Sequence, residues 1–236
     1  MIEIIPAIMP DSYADLVTKA SRVVGIAPLA QIDIMDGVFV DSKSWPYTEG
    51  GPLKEPHFLA LSKQQEDMPE WNDLDYEIDL MIAEPEKHID EWIPLGASRL
   101  IFHIESIKDK DAFFAHEIFQ PEARKIGNDT VIAIGLALHG DTPLSEIEPY
   151  ISQIDFVQCM GITKIGFQGE PFDERVLERI NTLRVAYPNL IISVDGAVSV
   201  ATAHDLKSAG ASRLVSGSAI FAADDMEAAV ASLESA

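Results

Sequence analysis

A single cysteine, Cys159, in 236 residues excludes an internal disulfide and fits a reducing cytosol, so a cytoplasmic protein is expected. Lying within an apolar strand pattern, that thiol reads as core. Basic residues are scarce: 17 Lys and Arg stand against 39 Asp and Glu, a net charge of −22. That field repels nucleic acid and anionic membrane surfaces, and neither is expected as a partner. It repels phosphorylated metabolites at long range as well, so a phosphate site has to be local, built from backbone N–H groups and helix N-termini. The acidity itself reads as an aid to solubility or a fit to a salty cell interior. No apolar run is long enough to span a membrane, and no basic-then-apolar signal opens the chain. No G-x-G-x-x-G follows the first strand pattern, which argues against a doubly wound dinucleotide-binding sheet.

What the chain does have is alternation. With 47% hydrophobic residues it can bury a large core, and strand and helix patterns follow one another from end to end. Strands are expected at residues 2–9, 29–35, 76–82, 100–104, 130–138, 154–160, 190–194 and 213–216. Helices are expected at 11–24, 56–65, 109–126, 142–152, 173–187, 199–209 and 224–233, with Pro85 opening one more. Eight strand-then-helix units predict one (β/α)8 TIM barrel domain spanning residues 1–236. In such a barrel every strand ends at one mouth, where the active site sits. The strand ends supply Ala7, Asp33, Asp79, His103, Leu138 with His139, Met160, Asp195 and Gly217.

The stretch Gln31-Ile-Asp-Ile-Met-Asp-Gly37 concentrates the chemistry. Gln31, Asp33 and Met35 share one strand face, whereas Asp36 points the other way and either caps the turn or joins the site. Asp33, Asp79 and Asp195 each interrupt an apolar strand, and an ionised carboxylate is expensive to bury without a partner. Three of them at one mouth require a cation among them or a shared proton. An oxygen-only set of Gln31, Asp33, Asp79 and Asp195 favours Mg²⁺ or Mn²⁺ over zinc; the other reading is no metal at all. Glycines after the last three strands, in Gly166-Phe-Gln-Gly169, Gly196-Ala197 and Gly217-Ser218, form a second group. In barrels of this kind those loops make a phosphate site. Met35, Met81 and Met160 are either core filler or a ring of thioethers over a reacting carbon. His103 and His139 can each be acid, base or wall, with wall favoured for His139.

Pro6-Ala-Ile, Ile32-Asp-Ile-Met-Asp-Gly37, Leu80-Met81-Ile with Glu84-Pro85, Thr142-Pro-Leu144, Gly166-Phe, Val194-Asp-Gly196 and Ser216-Gly-Ser-Ala-Ile-Phe221 resemble the ribulose-phosphate 3-epimerase family. The resemblance runs along nearly the whole chain in order. It implies a ribulose-phosphate-binding barrel that is an isomerase of pentose phosphate metabolism, acting on a ketose phosphate by proton removal and return at C3. Asp33 and Asp195 match the family's two acid/base aspartates, which also hold its metal. Met35, Met81 and Met160 match the methionines over its substrate, and the phosphate group maps onto Gly166, Gly169, Gly196, Ala197, Gly217 and Ser218. The family's two metal-binding histidines fall at Gln31 and Asp79, and its strand-one serine at Ala7. The sixth loop carries Thr163-Lys-Ile165, and the positive partner for the enediolate is either a hard cation on the oxygen ligands or Lys164 reaching in from this loop. A homo-oligomer with a phosphorylated sugar as ligand is expected. The alternatives are a non-catalytic sugar-phosphate-binding barrel, or a related isomerase or aldolase on another phosphorylated sugar.

Overall fold

The computed structural model describes residues 2–120 and 132–236, with the backbone of 125–126 and 130–131. Eight parallel strands close into a barrel: β1 (Glu3–Ile8), β2 (Leu29–Met35), β3 (Asp75–Met81), β4 (Arg99–His103), β5 (Ala133–Leu138), β6 (Phe156–Met160), β7 (Ile191–Asp195) and β8 (Arg213–Ser216), with β8 pairing back onto β1. Helices α1 (Tyr13–Val23), α2 (Pro56–Ser62), α3 (Ile89–Trp92), α4 (Lys110–Ala115), α5 (Arg175–Ala186), α6 (Val200–Ala209), α7 (Ser218–Phe221) and α8 (Met226–Ser235) fill the connections. Among the described residues no helix is long and apolar enough to cross a membrane.

The strands are buried on both faces, and their two faces differ. Outward residues such as Ile32, Ile34, Ile78, Leu80, Leu100, Phe102, Leu136, Val157 and Val194 pack with helix residues Leu16, Phe58, Trp92, Ile180 and Leu206 in one continuous core. Each such side chain stabilises the fold by roughly 1.5–3 kcal/mol. The inward faces are stacked in layers. At the base, Glu77 lies 3.2 Å from Arg99 Nη1 and 3.7 Å from Arg213 Nη1, and the Arg213 guanidinium sits 3.9 Å from the centre of the Phe156 ring. Ile5, Ala7, Leu29 and Val215 make one apolar patch above, and Ile101, Ala137 and Phe156 another. Asp33 stands directly opposite Asp79, and Met35 opposite Met81, in the β2–β3 register. The carboxylates therefore occupy the last layer but one before the mouth.

Three expected helices differ. The one opened by Pro85 is a 3-10 turn, Pro85–Lys87, followed by the single-turn α3 and a further 3-10 turn, Ile93–Leu95. Residues 142–152 form two short 3-10 stretches, Leu144–Glu146 and Glu148–Gln153, because Pro149 cannot donate the hydrogen bond that would continue an α-helix. Within 109–126, α4 ends at Ala115 and Glu117–Phe119 is a 3-10 turn. Residues 121–124 lie outside those described, and Lys125–Ile126 pairs antiparallel with Thr130–Val131, so the strand expected from 130 enters the barrel only at Ala133.

Candidate active site

Register brings the β2, β3 and β7 carboxylates together. One oxygen from each of Asp33, Asp79 and Asp195 lies within 4.8 Å of the others. Asp79 is fully buried, Asp33 is 7% exposed, and Asp195 opens partly onto a cavity. Two carboxamides stitch them. Gln31 Nε2 donates to Asp33 Oδ1 and to Asp195 Oδ2, both at 2.8 Å, and Gln158 Nε2 donates to Asp79 Oδ2 at 3.1 Å and to Asp195 Oδ2 at 3.4 Å. Behind Asp79, the buried His103 imidazole places Nε2 3.2 Å from Asp79 Oδ1. Burial alone would lower its pKa, but Asp79, Glu105 and Asp195 outweigh that and raise it.

The electrostatics follow from the crowding. Burial, then repulsion from Asp195 and Asp79, holds the Asp33 carboxyl well above the usual carboxylate range, against the hydrogen bond from Gln31. Burial and repulsion from Asp79 push Asp195 up to about 7, although Gln31 and His103 pull the other way. Like charges this close cannot all ionise freely, and the crowding favours either a proton shared within the cluster or a cation among its oxygens.

A cavity of about 410 Å³ joins this cluster to the loops after β6, β7 and β8. Asp33, Asp195 and Ala7 form its floor, and Gly169, Gly196, Ala197, Gly217 and Ser218 line its rim with Ser199 and Thr202. The loops are tied to one another: Gly161 donates its N–H to Asp195 O at 2.6 Å, and Ser216 Oγ donates to Val198 O at 3.0 Å. Glycine is required at two places. A Cβ on Gly161 would lie 2.3 Å from Gly196 O, and Gly196 itself has φ +97° with Ile162 filling the space where a side chain would go. Cavity-lining residues include no lysine or arginine, so any anion there would have to be held by backbone N–H groups, the start of α6 and neutral side chains.

The family model for ribulose-phosphate 3 epimerases matches residues 3–221. The chain belongs to the ribulose-phosphate 3-epimerase family. Among epimerases of that family, it is 28% identical to one from Schizosaccharomyces pombe (98% of this chain, 92% of the relative) and 29% identical to one from Bacillus subtilis (99% and 98%). It is 31% identical to the chloroplastic ribulose-5-phosphate-3-epimerase of Arabidopsis thaliana, over 95% of this chain and 73% of the relative. Solved barrels share the fold at lower identity. A 3-hexulose-6-phosphate synthase aligns with TM-score 0.63 at 19% identity, covering 100% and 99% of the two chains. A 3-keto-L-gulonate-6-phosphate decarboxylase from Vibrio cholerae aligns with TM-score 0.64 at 14% identity, covering 100% and 95%.

Set against that family, several residues sit apart from the cavity. Lys164 is exposed, its ammonium 3.9 Å from the centre of the Phe167 ring, and does not line the cavity. The ring face attracts the ammonium there, in place of the carboxylates. Gly166 also lies outside the cavity rim: its backbone packs against Val40, with Met35 Sδ 3.4 Å from where its Cβ would be. Met35 and Met81 cluster with Val40, and Met160 lies beside Asp195 in the β6–β7 register. His103 backs Asp79 without reaching the cavity, and His139 ties the loops through Nε2 to Thr163 O at 2.8 Å. Asp36 is a turn cap, accepting N–H groups from Val38, Phe39 and Ala83 at 2.7–2.9 Å.

The residue that sequence reasoning missed is Gln158. Its signal was a buried amide two positions before Met160, on the same inward face of an otherwise apolar strand.

As a cation site, the donor set is oxygen throughout: Gln31 Oε1 and Gln158 Oε1 are buried acceptors with no hydrogen-bond partner among the described residues, and Asp79 Oδ1 faces only His103 Nε2 at 3.2 Å. That excess of acceptors over donors fits a hard divalent cation. It lacks the imidazole donors that suit tetrahedral zinc.

Proposed function

We propose that this chain epimerises a pentose ketose phosphate at C3, with Asp33 and Asp195 as the acid/base pair. The observation that carries the reading is that both carboxyls, each raised above its usual range, floor the same cavity whose rim is the glycine cradle. The phosphate fits the cradle of Gly169, Gly196, Ala197, Gly217 and Ser218, which directs the carbon chain toward the floor. The ionised aspartate takes the C3 proton; the C3–H electrons form the C2=C3 bond and the carbonyl π pair moves to oxygen, giving an enediolate. The protonated aspartate then delivers its proton to the opposite face of C3, leaving the two protonation states exchanged, and return of a proton from the first aspartate to the second after product release resets the pair. A general base tuned near 7 suits this task better than one near 4. Asp33, Asp79 and Asp195 would hold a hard cation, Mg²⁺ or Mn²⁺ before Zn²⁺, which when bound stabilises the charge that develops on the enediolate oxygens. Met35, Met81 and Met160 keep the mouth apolar and exclude water from the intermediate.

The test is C3 hydrogen exchange in D₂O, followed by NMR on ribulose 5-phosphate with Mg²⁺ or Mn²⁺ present. The wild type incorporates deuterium at C3 and forms the epimer; Asp33→Asn and Asp195→Asn do not, yet still bind inorganic phosphate. Full exchange by Asp195→Asn would end the two-base mechanism. Phosphate binding without exchange in the wild type would make the chain a binder. Cytoplasmic location and homo-oligomeric assembly belong to the same reading, the latter checked by light scattering.

A further inference from the structure

We infer that Gln158 is a positioning residue for this proton transfer, a clamp that holds Asp195 so that only its Oδ1 is free toward the cavity. The inference rests on the epimerase reading above. Gln158 is fully buried, between Phe156 and Met160 on the inward face of β6, where both same-face neighbours are apolar. Its Nε2 reaches two carboxylates at once, 3.1 Å from Asp79 Oδ2 and 3.4 Å from Asp195 Oδ2. Gln31 holds that same Asp195 oxygen from β2 at 2.8 Å. The two amides thus approach Oδ2 from opposite walls of the barrel.

An aspartate held by one donor can still swivel, because the torsion to its carboxylate is broad. Donors from two walls fix the plane. Among the described residues Oδ1 accepts no hydrogen bond, and Asp195 lines the cavity, so Oδ1 is the oxygen left to take or give the C3 proton.

Stability does not account for an amide at this position. Gln158 Oε1 is buried without a partner, and a buried acceptor left unpaired destabilises a fold, whereas leucine of similar size would fill the same space without that penalty. The position is therefore better suited to leucine in every respect except the two N–H bonds it makes.

Gln158→Leu and Gln158→Glu separate the roles, the first removing donors and acceptors together and the second keeping the shape while replacing the donor with an acceptor. With ribulose 5-phosphate as substrate, kcat for both is expected to fall 10- to 100-fold while KM stays within about twofold. Gln158→Leu removes the unpaired Oε1 but also the donor to Asp79 Oδ2, two effects of opposite sign, so its Tm is expected to stay within a few degrees of the wild type. Wild-type kcat in Gln158→Leu would overturn the inference. So would a loss of kcat matched by a larger fall in Tm, or a failure of that variant to fold, since either marks a structural role. Absence of exchange in the wild type would instead sink the epimerase reading, and this inference with it.

Discussion

Asp195→Asn should make the protein more stable while abolishing its chemistry, and the gain should depend on pH. The carboxyl is held at about 7 against an ordinary 3.8. A carboxyl whose pKa is raised by folding contributes stability below its unfolded pKa and loses it as the pH climbs through the folded one. The span from 3.8 to about 7 corresponds to roughly 4 kcal/mol at ~1.4 kcal/mol per pH unit. Because Asp195 is partly open to the cavity and shares its titration with Asp33, about 2 kcal/mol is the better figure. Asparagine keeps an oxygen for Gln31 and Gln158 but carries no charge, so it escapes the loss. For a domain of this size each kcal/mol moves Tm by roughly 2–4 °C. The variant should therefore melt about 4–8 °C above the wild type at pH 8.5 in chelator, with the gap shrinking steadily toward pH 5. Carboxylates outside the cluster titrate alike in both proteins and cancel, whereas Asp33, freed of repulsion from Asp195, ionises at lower pH in the variant and adds to the gap. Calorimetry of the pair across that range decides it: a gap that ignores pH, or a variant melting lower at pH 8.5, would refute the crowding argument.

Other outcomes follow from the same geometry. With chelator removed at pH 8, Mg²⁺ or Mn²⁺ should raise the wild-type Tm, by an amount equivalent to about 2.7 kcal/mol at a hundredfold excess over Kd; melts of Asp79→Asn should show little of that rise, and an equal rise there would clear Asp79 of any part in cation binding. Gly217→Ala places a methyl 2.9 Å from Gln168 Nε2 and 3.3 Å from Ala7 O on the cavity rim, so KM for ribulose 5-phosphate should rise at least tenfold with kcat changed far less; steady-state kinetics with an unchanged KM would count against the cradle. At the barrel base, Glu77→Ala strands the buried Arg213 without its anion and should cost about 3–5 kcal/mol, read as a fall in denaturant midpoint; a loss under 1 kcal/mol would mean that the layer is solvated.

Much of the barrel was legible because β2, β3 and β7 are largely apolar runs broken by carboxylates, and the expense of burying Asp33, Asp79 and Asp195 shows in one dimension. Their convergence does not, since it depends on the register that sets Asp33 opposite Asp79 and on the closure that brings β7 round to β2. Gln158 escaped notice because a neutral amide in a strand raises no alarm until its neighbours across the barrel are known. Lys164 misled for the opposite reason: a cation after β6 invites pairing with the aspartates, but loop geometry lays it over Phe167. The 142–152 segment has helical periodicity, and Pro149 still breaks it into 3-10 turns.

Asp195 and Gly196 are consecutive residues, one on the floor of the cavity and the other on its rim. In the function proposed above, a single peptide step, about 3.8 Å from Cα to Cα, separates the base from the phosphate grip. On that proposal the protein acts as a ruler graduated from the phosphate end. A ketose seated by its phosphate presents the carbon at a fixed count from that group, whatever extends beyond it. Discrimination among phosphorylated sugars of different length then falls to the far side of the mouth, where the long segment between β2 and β3 meets Met35 and Gly166. Changes in that segment would retune which sugars enter without disturbing where the proton is taken.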